Sequence, residues 1–152
     1  MANGTENCVF CRIKENLDTF VYENEEFLAF KDKRPATSHH YLVIPKNHVK
    51  NPSTLQSSDV SLVKTLVEIG KEILMNENVS LDDARMGFHW PPFNTVQHLH
   101  LHVIASVSEM GFFSKLIFKP DSYWFITICN AEMLKLLAVC NSETGSCCCS
   151  YA

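Results

Sequence analysis

The chain has no run of Lys or Arg long enough to follow a phosphate backbone, and its 13 basic residues are outnumbered by 17 acidic ones, for a net charge of −4. That argues against a nucleic-acid footprint, while leaving room for a single nucleotide held by backbone N–H groups and a few side chains. Also missing is any stretch approaching the roughly 18 apolar residues of a membrane span. Residues 1–7 have neither the basic start nor the apolar block of a secretory signal, so a cytoplasmic, or also nuclear, protein is expected. The seven cysteines are odd in number, and Cys147, Cys148 and Cys149 stand in a row, which makes a poor disulfide framework. No internal repeat and no regular strand–helix alternation is present, which disfavours a doubly wound parallel sheet. A chain of 152 residues with 46% hydrophobic residues can nevertheless bury the core of one ordinary domain.

The most informative stretch is His98-Leu99-His100-Leu101-His102-Val103-Ile104. Its period of two assigns His98, His100 and His102 to one side of a strand, and Leu99, Leu101 and Val103 to the other. One face is then core and the other is free for chemistry. A single strand histidine is usually a satisfied polar residue on a wet face. Three in strict alternation over an unbroken apolar face point to a site.

The remaining patterns supply a scaffold. Phe20 to Asp32 reads as a β-hairpin about the polar turn Glu23-Asn24-Glu25, and His40 to Ile44 is a short apolar strand stopped by Pro45. Val63, Leu66, Val67, Gly70, Ile73 and Leu74 lie on one helical stripe, with Ser57 or Ser58 as the expected cap. Arg85–Trp90 is a further strand and Pro91 to Thr95 a loop leading into the histidines. Met110–Phe113 is an apolar piece containing Gly111. Ser122–Ile128 is rich in β-formers, and Asn130 is expected to cap a short helix over Ala131–Val139. Residues 140–152 read as a Cys-rich disordered tail. Its last four residues formally fit a prenylation signal, but Ser150 and Tyr151 are not aliphatic and no polybasic segment precedes them, so a membrane anchor is not expected. These patterns predict an α+β domain with a mainly antiparallel sheet over residues 8–139.

A neutral imidazole suits attack on phosphorus near neutral pH, because its ordinary pKa of about 6.5 leaves the free base populated. Flanking imidazoles can then donate to the phosphoryl oxygens. The rival chemistry is a metal held by all three histidines. At a rise of roughly 3.3 Å per residue, His98 and His102 stand about 13 Å apart, too far to meet on one ion with Zn–N bonds of about 2.0 Å. Cys8-Val9-Phe10-Cys11 is a separate question. This C-x-x-C pair suits half of a zinc site or a pair of free or redox-active thiols, with His48 and His98 as candidate partners for a metal.

The histidine stretch, taken with Cys8-Val9-Phe10-Cys11, Phe30-Lys31-Asp32, the block His40 to His48 and Arg85-Met86-Gly87-Phe88-His89, resembles the signature blocks of the histidine triad superfamily. That resemblance implies a five-stranded antiparallel sheet with one long and one short helix, a homodimer or larger assembly, and hydrolysis of adenosine phosphoramidates without a required cofactor. By position it implies His100 as the nucleophile, with His102 on the phosphate and His98 and His40 supporting the site. Asp32, with Lys33 beside it, matches the ribose-binding acid; Phe10, Phe30 and Leu42 match the base pocket; and His100, Leu101 and His102 border the nucleotide. In branches that keep the C-x-x-C pair, the resemblance implies a structural zinc on Cys8, Cys11, His48 and His98. The chain departs from the common pattern before the triad. Thr95 stands where a serine usually contacts phosphate, His89 replaces an asparagine, and Pro91-Pro92 stiffens a segment that is elsewhere glycine-rich. A catalytically weak AMP-binding module is the alternative function. A DNA-deadenylase reading, as in the aprataxin branch, is disfavoured by the missing basic patch.

Overall fold

The computed structural model describes residues 7–15 and 19–128. Its centre is one antiparallel sheet in the order β1-β2-β3-β5-β4-β6. The strands are β1 Tyr22–Glu23, β2 Phe27–Lys31, β3 His39–Pro45, β4 Ala84–His89, β5 Leu101–Ala105 and β6 Phe125–Thr127. Among the described residues two α-helices accompany them, α1 Val60–Asn76 and α2 Phe112–Ile117. The expected α+β class holds, with six strands where the resemblance implied five. The two edge strands are short: β1 is the two-residue outer arm of the hairpin that the residues themselves predicted, and β6 is three residues long. None of the described helices is long and apolar enough to cross a membrane.

Helix α1 covers one face of the sheet through the predicted stripe: Val63, Leu66, Val67, Gly70, Ile73 and Leu74 are all buried. They pack with Ala29, Tyr41, Val43, Met86, Phe88, Leu99, Leu101, Val103 and Ile126, the alternate residues of the strands. Gly70 permits this approach, since a Cβ there would stand 2.7 Å from the Val103 side chain. The expected serine cap is corrected. Ser57 and Ser58 lie in a 3-10 turn ahead of the helix, where the Asp59 carboxylate accepts the Gln56 N–H at 2.8 Å.

The histidine stretch is also shorter as a paired strand than its alternation suggests. Pairing runs from Val43↔Leu101 to His39↔Ala105, so His98 and His100 precede β5. The β3 strand ends at Pro45, which has no N–H to extend the ladder, and the Leu99 N–H goes instead to the Val49 carbonyl at 2.6 Å. The alternation of faces survives, because Leu99, Leu101 and Val103 are all fully buried under α1. The short helix expected at Ala131–Val139, the tail at 140–152 and its cysteines lie outside the described residues. Helix α2 was legible in the sequence only as an apolar piece.

Candidate functional site

The face of the sheet away from α1 carries the site. Cross-strand partners in an antiparallel ladder share a face, so Phe30↔Leu42, Leu42↔His102, His40↔Ile104 and His89↔Phe125 assemble a continuous surface of histidine and apolar side chains. His40, His98, His100 and His102 are all buried. Successive ring contacts link His98 to Phe10, Phe10 to His100, His100 to His102, and His102 to both His40 and His89.

At one end, His98 meets sulfur. Its Nδ1 is 3.4 Å from Cys8 Sγ and 3.5 Å from Cys11 Sγ, and His48 Nδ1 is 3.3 Å from Cys11 Sγ. Cys8, Cys11, His48 and His98 each offer one ligand atom within 4.8 Å of the others, a group able to hold a metal ion. Burial and the neighbouring Cys8 thiol push the Cys11 thiol up to about 11.

At the other end, His102 meets nitrogen and aromatic rings. The His102 and His40 rings are joined by a 2.9 Å hydrogen bond between His40 Nε2 and His102 Nδ1. Phe118 packs on His40, His89 and His102 at 5.2 Å in each case, and Phe125 closes over His89 and His102. Gly87, opposite His102, makes room for that arrangement. A Cβ there would lie 2.5 Å from the Ile126 carbonyl oxygen and 2.8 Å from the Phe125 ring.

The hydrogen bonds assign the imidazole tautomers. The Ala36 N–H donates to His40 Nδ1 at 3.0 Å, so the His40 proton is on Nε2 and is donated to His102 Nδ1. The proton of His102 is therefore on Nε2, which is buried and has no partner. His98 donates from Nε2 to the Pro45 carbonyl at 2.8 Å, and His100 donates from Nδ1 to the His98 carbonyl at 2.6 Å. His98 Nδ1 and His100 Nε2 are thus lone pairs, the first facing the sulfurs.

Burial is the leading cause that holds every one of these rings below its ordinary pKa. It brings His40 and His98 down to about 4, places His102 well below 6.5, and lowers His89 and His100. The rings are neutral at pH 7. Asp32 Oδ2, 3.5 Å from His40 Nε2 and 3.9 Å from His102 Nδ1, accordingly stands beside two neutral imidazoles and not in an ion pair.

Of the other residues predicted for the site, Phe10, Phe30 and Leu42 do come together in one apolar cluster, with Phe10 and Phe30 5.6 Å apart. Asp32 is partly exposed, and its Oδ1 accepts the Arg34 N–H. Lys33 is exposed, and so is Thr95 on the loop before the triad. The Leu101 side chain points into the α1 core, which leaves only its backbone for a nucleotide. Sequence reasoning missed Phe118 and Trp124, because neither lies in a periodic pattern. It also missed Asn94, buried in the loop, whose side chain bonds to Val96 O and Gln97 Nε2.

The fold and site together define a protein of the histidine triad type, with three alternating histidines leading into a central strand of an antiparallel sheet beside an aromatic pocket. Comparison with known proteins agrees. Residues 7–117 match the family described as "Scavenger mRNA decapping enzyme C-term binding". The adenosine 5'-monophosphoramidase HINT3 of Xenopus tropicalis is 47% identical over 125 residues, covering 80% of this chain and 82% of that protein. The bifunctional adenosine 5'-phosphosulfate phosphorylase/adenylylsulfatase HINT4 of Arabidopsis thaliana is 41% identical over 109 residues, 69% of this chain and 74% of its own. Among solved structures, a HIT family hydrolase from Clostridium thermocellum superposes with a TM-score of 0.62 at 33% identity, covering 70% of this chain and 95% of that one. The chain belongs to the histidine triad superfamily.

Proposed function

We propose that the protein is a nucleoside phosphoramidate hydrolase, releasing AMP from adenosine 5'-monophosphoramidate and related adenylates through an AMP adduct on His100. The observation that carries this reading is the order of tautomers. His100 offers an Nε2 lone pair next to a buried, unsatisfied His102 N–H. The lone pair attacks phosphorus while the His102 N–H donates to a phosphoryl oxygen, the charge developing in the transition state. The P–N bond breaks, and the departing nitrogen keeps the bonding pair and takes a proton from solvent. The His98 carbonyl, accepting the His100 Nδ1–H, supports the positive charge on the adducted ring. Water then cleaves the Nε2–P bond, yielding AMP and free His100. The relatives named as a monophosphoramidase and an adenylylsulfatase act on neighbouring chemistry.

In this reading Phe10, Phe30 and Leu42 receive the adenine, Asp32 and Lys33 the ribose, and Thr95 the phosphate. Zinc is assigned to Cys8, Cys11, His48 and His98 as structural metal. With Zn–S near 2.3 Å and Zn–N near 2.0 Å, a tetrahedral site has S···N edges of about 3.5 Å, and three of the four S···N separations are 3.3–3.5 Å. His98 would then tie the N-terminal segment to the triad and take no part in proton transfer. A homodimer or larger assembly is proposed from the family resemblance, and light scattering measures it.

The deciding experiment is rapid-quench intact-mass measurement of the protein mixed with adenosine 5'-monophosphoramidate, followed by peptide mapping. A transient AMP adduct on His100 is expected. AMP binding without adduct or turnover would leave the AMP-binding module as the function.

A further inference from the structure

Cleavage of an AMP adduct on His100 by water releases a proton that needs an acceptor. We infer that His89 is that acceptor and the general base of the second step, its Nε2 drawing the proton from the water that attacks phosphorus. The inference rests on the hydrolase reading above and assigns a further catalytic residue to it.

Few lone pairs remain around His100 once the adduct has formed. His40 Nδ1 accepts the Ala36 N–H at 3.0 Å, and His102 Nδ1 accepts from His40 Nε2 at 2.9 Å. The remaining nitrogen of His102 carries its proton. His100 donates from Nδ1 to the His98 carbonyl, and its Nε2 holds the phosphorus. Asp32 accepts the Arg34 N–H on one oxygen and stands beside His40 and His102 with the other, where the proposed function gives it to the ribose. His89 is different. Its Nδ1 donates to the Trp124 carbonyl at 3.0 Å, so in the neutral ring Nε2 is a lone pair.

Strand register puts that lone pair beside the nucleophile. The β4–β5 ladder pairs Gly87 with His102, and two residues further along each chain the same register sets His89 level with His100, on the same face. Both rings also stand edge-to-face on His102, His89 at 4.9 Å and His100 at 5.0 Å between centroids. Phe118 and Phe125 hold the His89 ring at 5.2 and 5.1 Å, and the Trp124 carbonyl that takes its Nδ1 proton is itself fixed by the Trp90 N–H at 2.9 Å. Exposure separates His89 from its neighbours. His40, His100 and His102 are buried, whereas His89 is only half-buried, so it is the ring at this end that bulk water reaches.

In the second step the water oxygen bonds to phosphorus, and the Nε2–P bond breaks with its electron pair returning to His100 Nε2. One water proton passes to His89 Nε2. The imidazolium so formed keeps its Nδ1–H on the Trp124 carbonyl, which stabilises the new positive charge. AMP leaves carrying the other water proton, and His89 then gives its extra proton to solvent.

The informative variant is His89→Asn, whose amide can still donate to the Trp124 carbonyl while offering no base. Rapid-quench intact-mass measurement, with protein in excess over adenosine 5'-monophosphoramidate, follows adduct formation and breakdown separately. In His89→Asn breakdown should slow by about 10²-fold or more, and formation by less than about threefold. The adduct, transient in the wild type, then becomes the main species, and kcat and KM fall together in steady state. The inference stands if breakdown slows at least about tenfold more than formation, and any smaller difference overturns it. His89→Gln, which fills similar volume without a base, is the second variant and is judged by the same ratio. Breakdown by the wild type should also be slower in D2O than in H2O, because the water proton is in flight; equal rates overturn the inference without any variant. No adduct on wild-type His100 overturns the hydrolase reading together with this one, whereas an adduct that forms and breaks down at unchanged rates in His89→Asn overturns the role of His89 alone.

Discussion

The two ends of the histidine row are chemically unlike although one alternating stretch builds both. At the His98 end the neighbours are two cysteines and a histidine, all turning lone pairs or thiols toward a common centre. At the His102 end they are His40, His89, Phe118 and Phe125; His40 donates to His102 Nδ1, and the His102 Nε2–H is left without a partner. Burial lowers the histidine pKa values at both ends, so desolvation alone does not distinguish them. What differs is the hydrogen-bond partner that sets the tautomer. A carbonyl takes the His98 Nε2 proton and frees Nδ1 for sulfur or metal, whereas an imidazole N–H occupies His102 Nδ1 and sends its proton outward. In the proposed function the first arrangement holds a metal and the second serves the reaction.

The comparison can be broken most severely between the two ends. His100→Ala should lower kcat by at least about 10³-fold and abolish the adduct, while AMP binding remains measurable by calorimetry; turnover at the wild-type rate would refute the nucleophile. His40→Ala removes the donor to His102 Nδ1 and releases its tautomer. A loss of about 10²-fold in kcat is expected, with KM changing by less than about threefold. A change confined to KM would mean that His40 only shapes the nucleotide pocket.

At the holding end, Cys11→Ser should reduce bound zinc, measured by elemental analysis, from one per chain to near zero. The melting temperature should fall by roughly 5–10 °C, and kcat should drop less than about tenfold. A catalytic loss as large as that of His40→Ala would show that the two ends are not separable.

The mildest prediction concerns pH. Because burial holds His100 below its ordinary value, the free base persists as pH falls from 7 through 6.5, and the acid limb of the kcat/KM profile should have its midpoint below 6.5. A midpoint at or above 6.5 would contradict a buried neutral nucleophile. His40, at about 4 in the folded protein, binds its proton later than in the unfolded chain as pH falls. Its contribution to stability is therefore full above about pH 6.5 and declines toward pH 4, which urea unfolding at intermediate pH would measure.

How much of this was legible beforehand varies with distance along the chain. The helix stripe from Val63 to Leu74 and the division of residues 98–104 into two faces follow from local periodicity, and both are realised. The hairpin around Glu23-Asn24-Glu25 was likewise legible, and it contains β1 and β2. Helix α2 escaped notice because Phe112-Phe113-Ser114-Lys115-Leu116-Ile117 is too short to display a period and buries no face. Phe118 and Trp124 escaped for a related reason: their roles depend on rings and carbonyls at distant positions.

The sequence by itself determined the class of chemistry, since strict alternation commits three imidazoles to the one face that Leu99, Leu101 and Val103 leave when they turn to the core. Only the tertiary structure decided which imidazole meets sulfur and which meets another imidazole. Cys8 lies 90 residues from His98, and His40 lies 62 from His102. Pairing at such separations is chosen by strand order and register, which no local period encodes. The tautomers follow from those pairings, because each ring proton goes to whichever acceptor the fold brings within hydrogen-bonding distance.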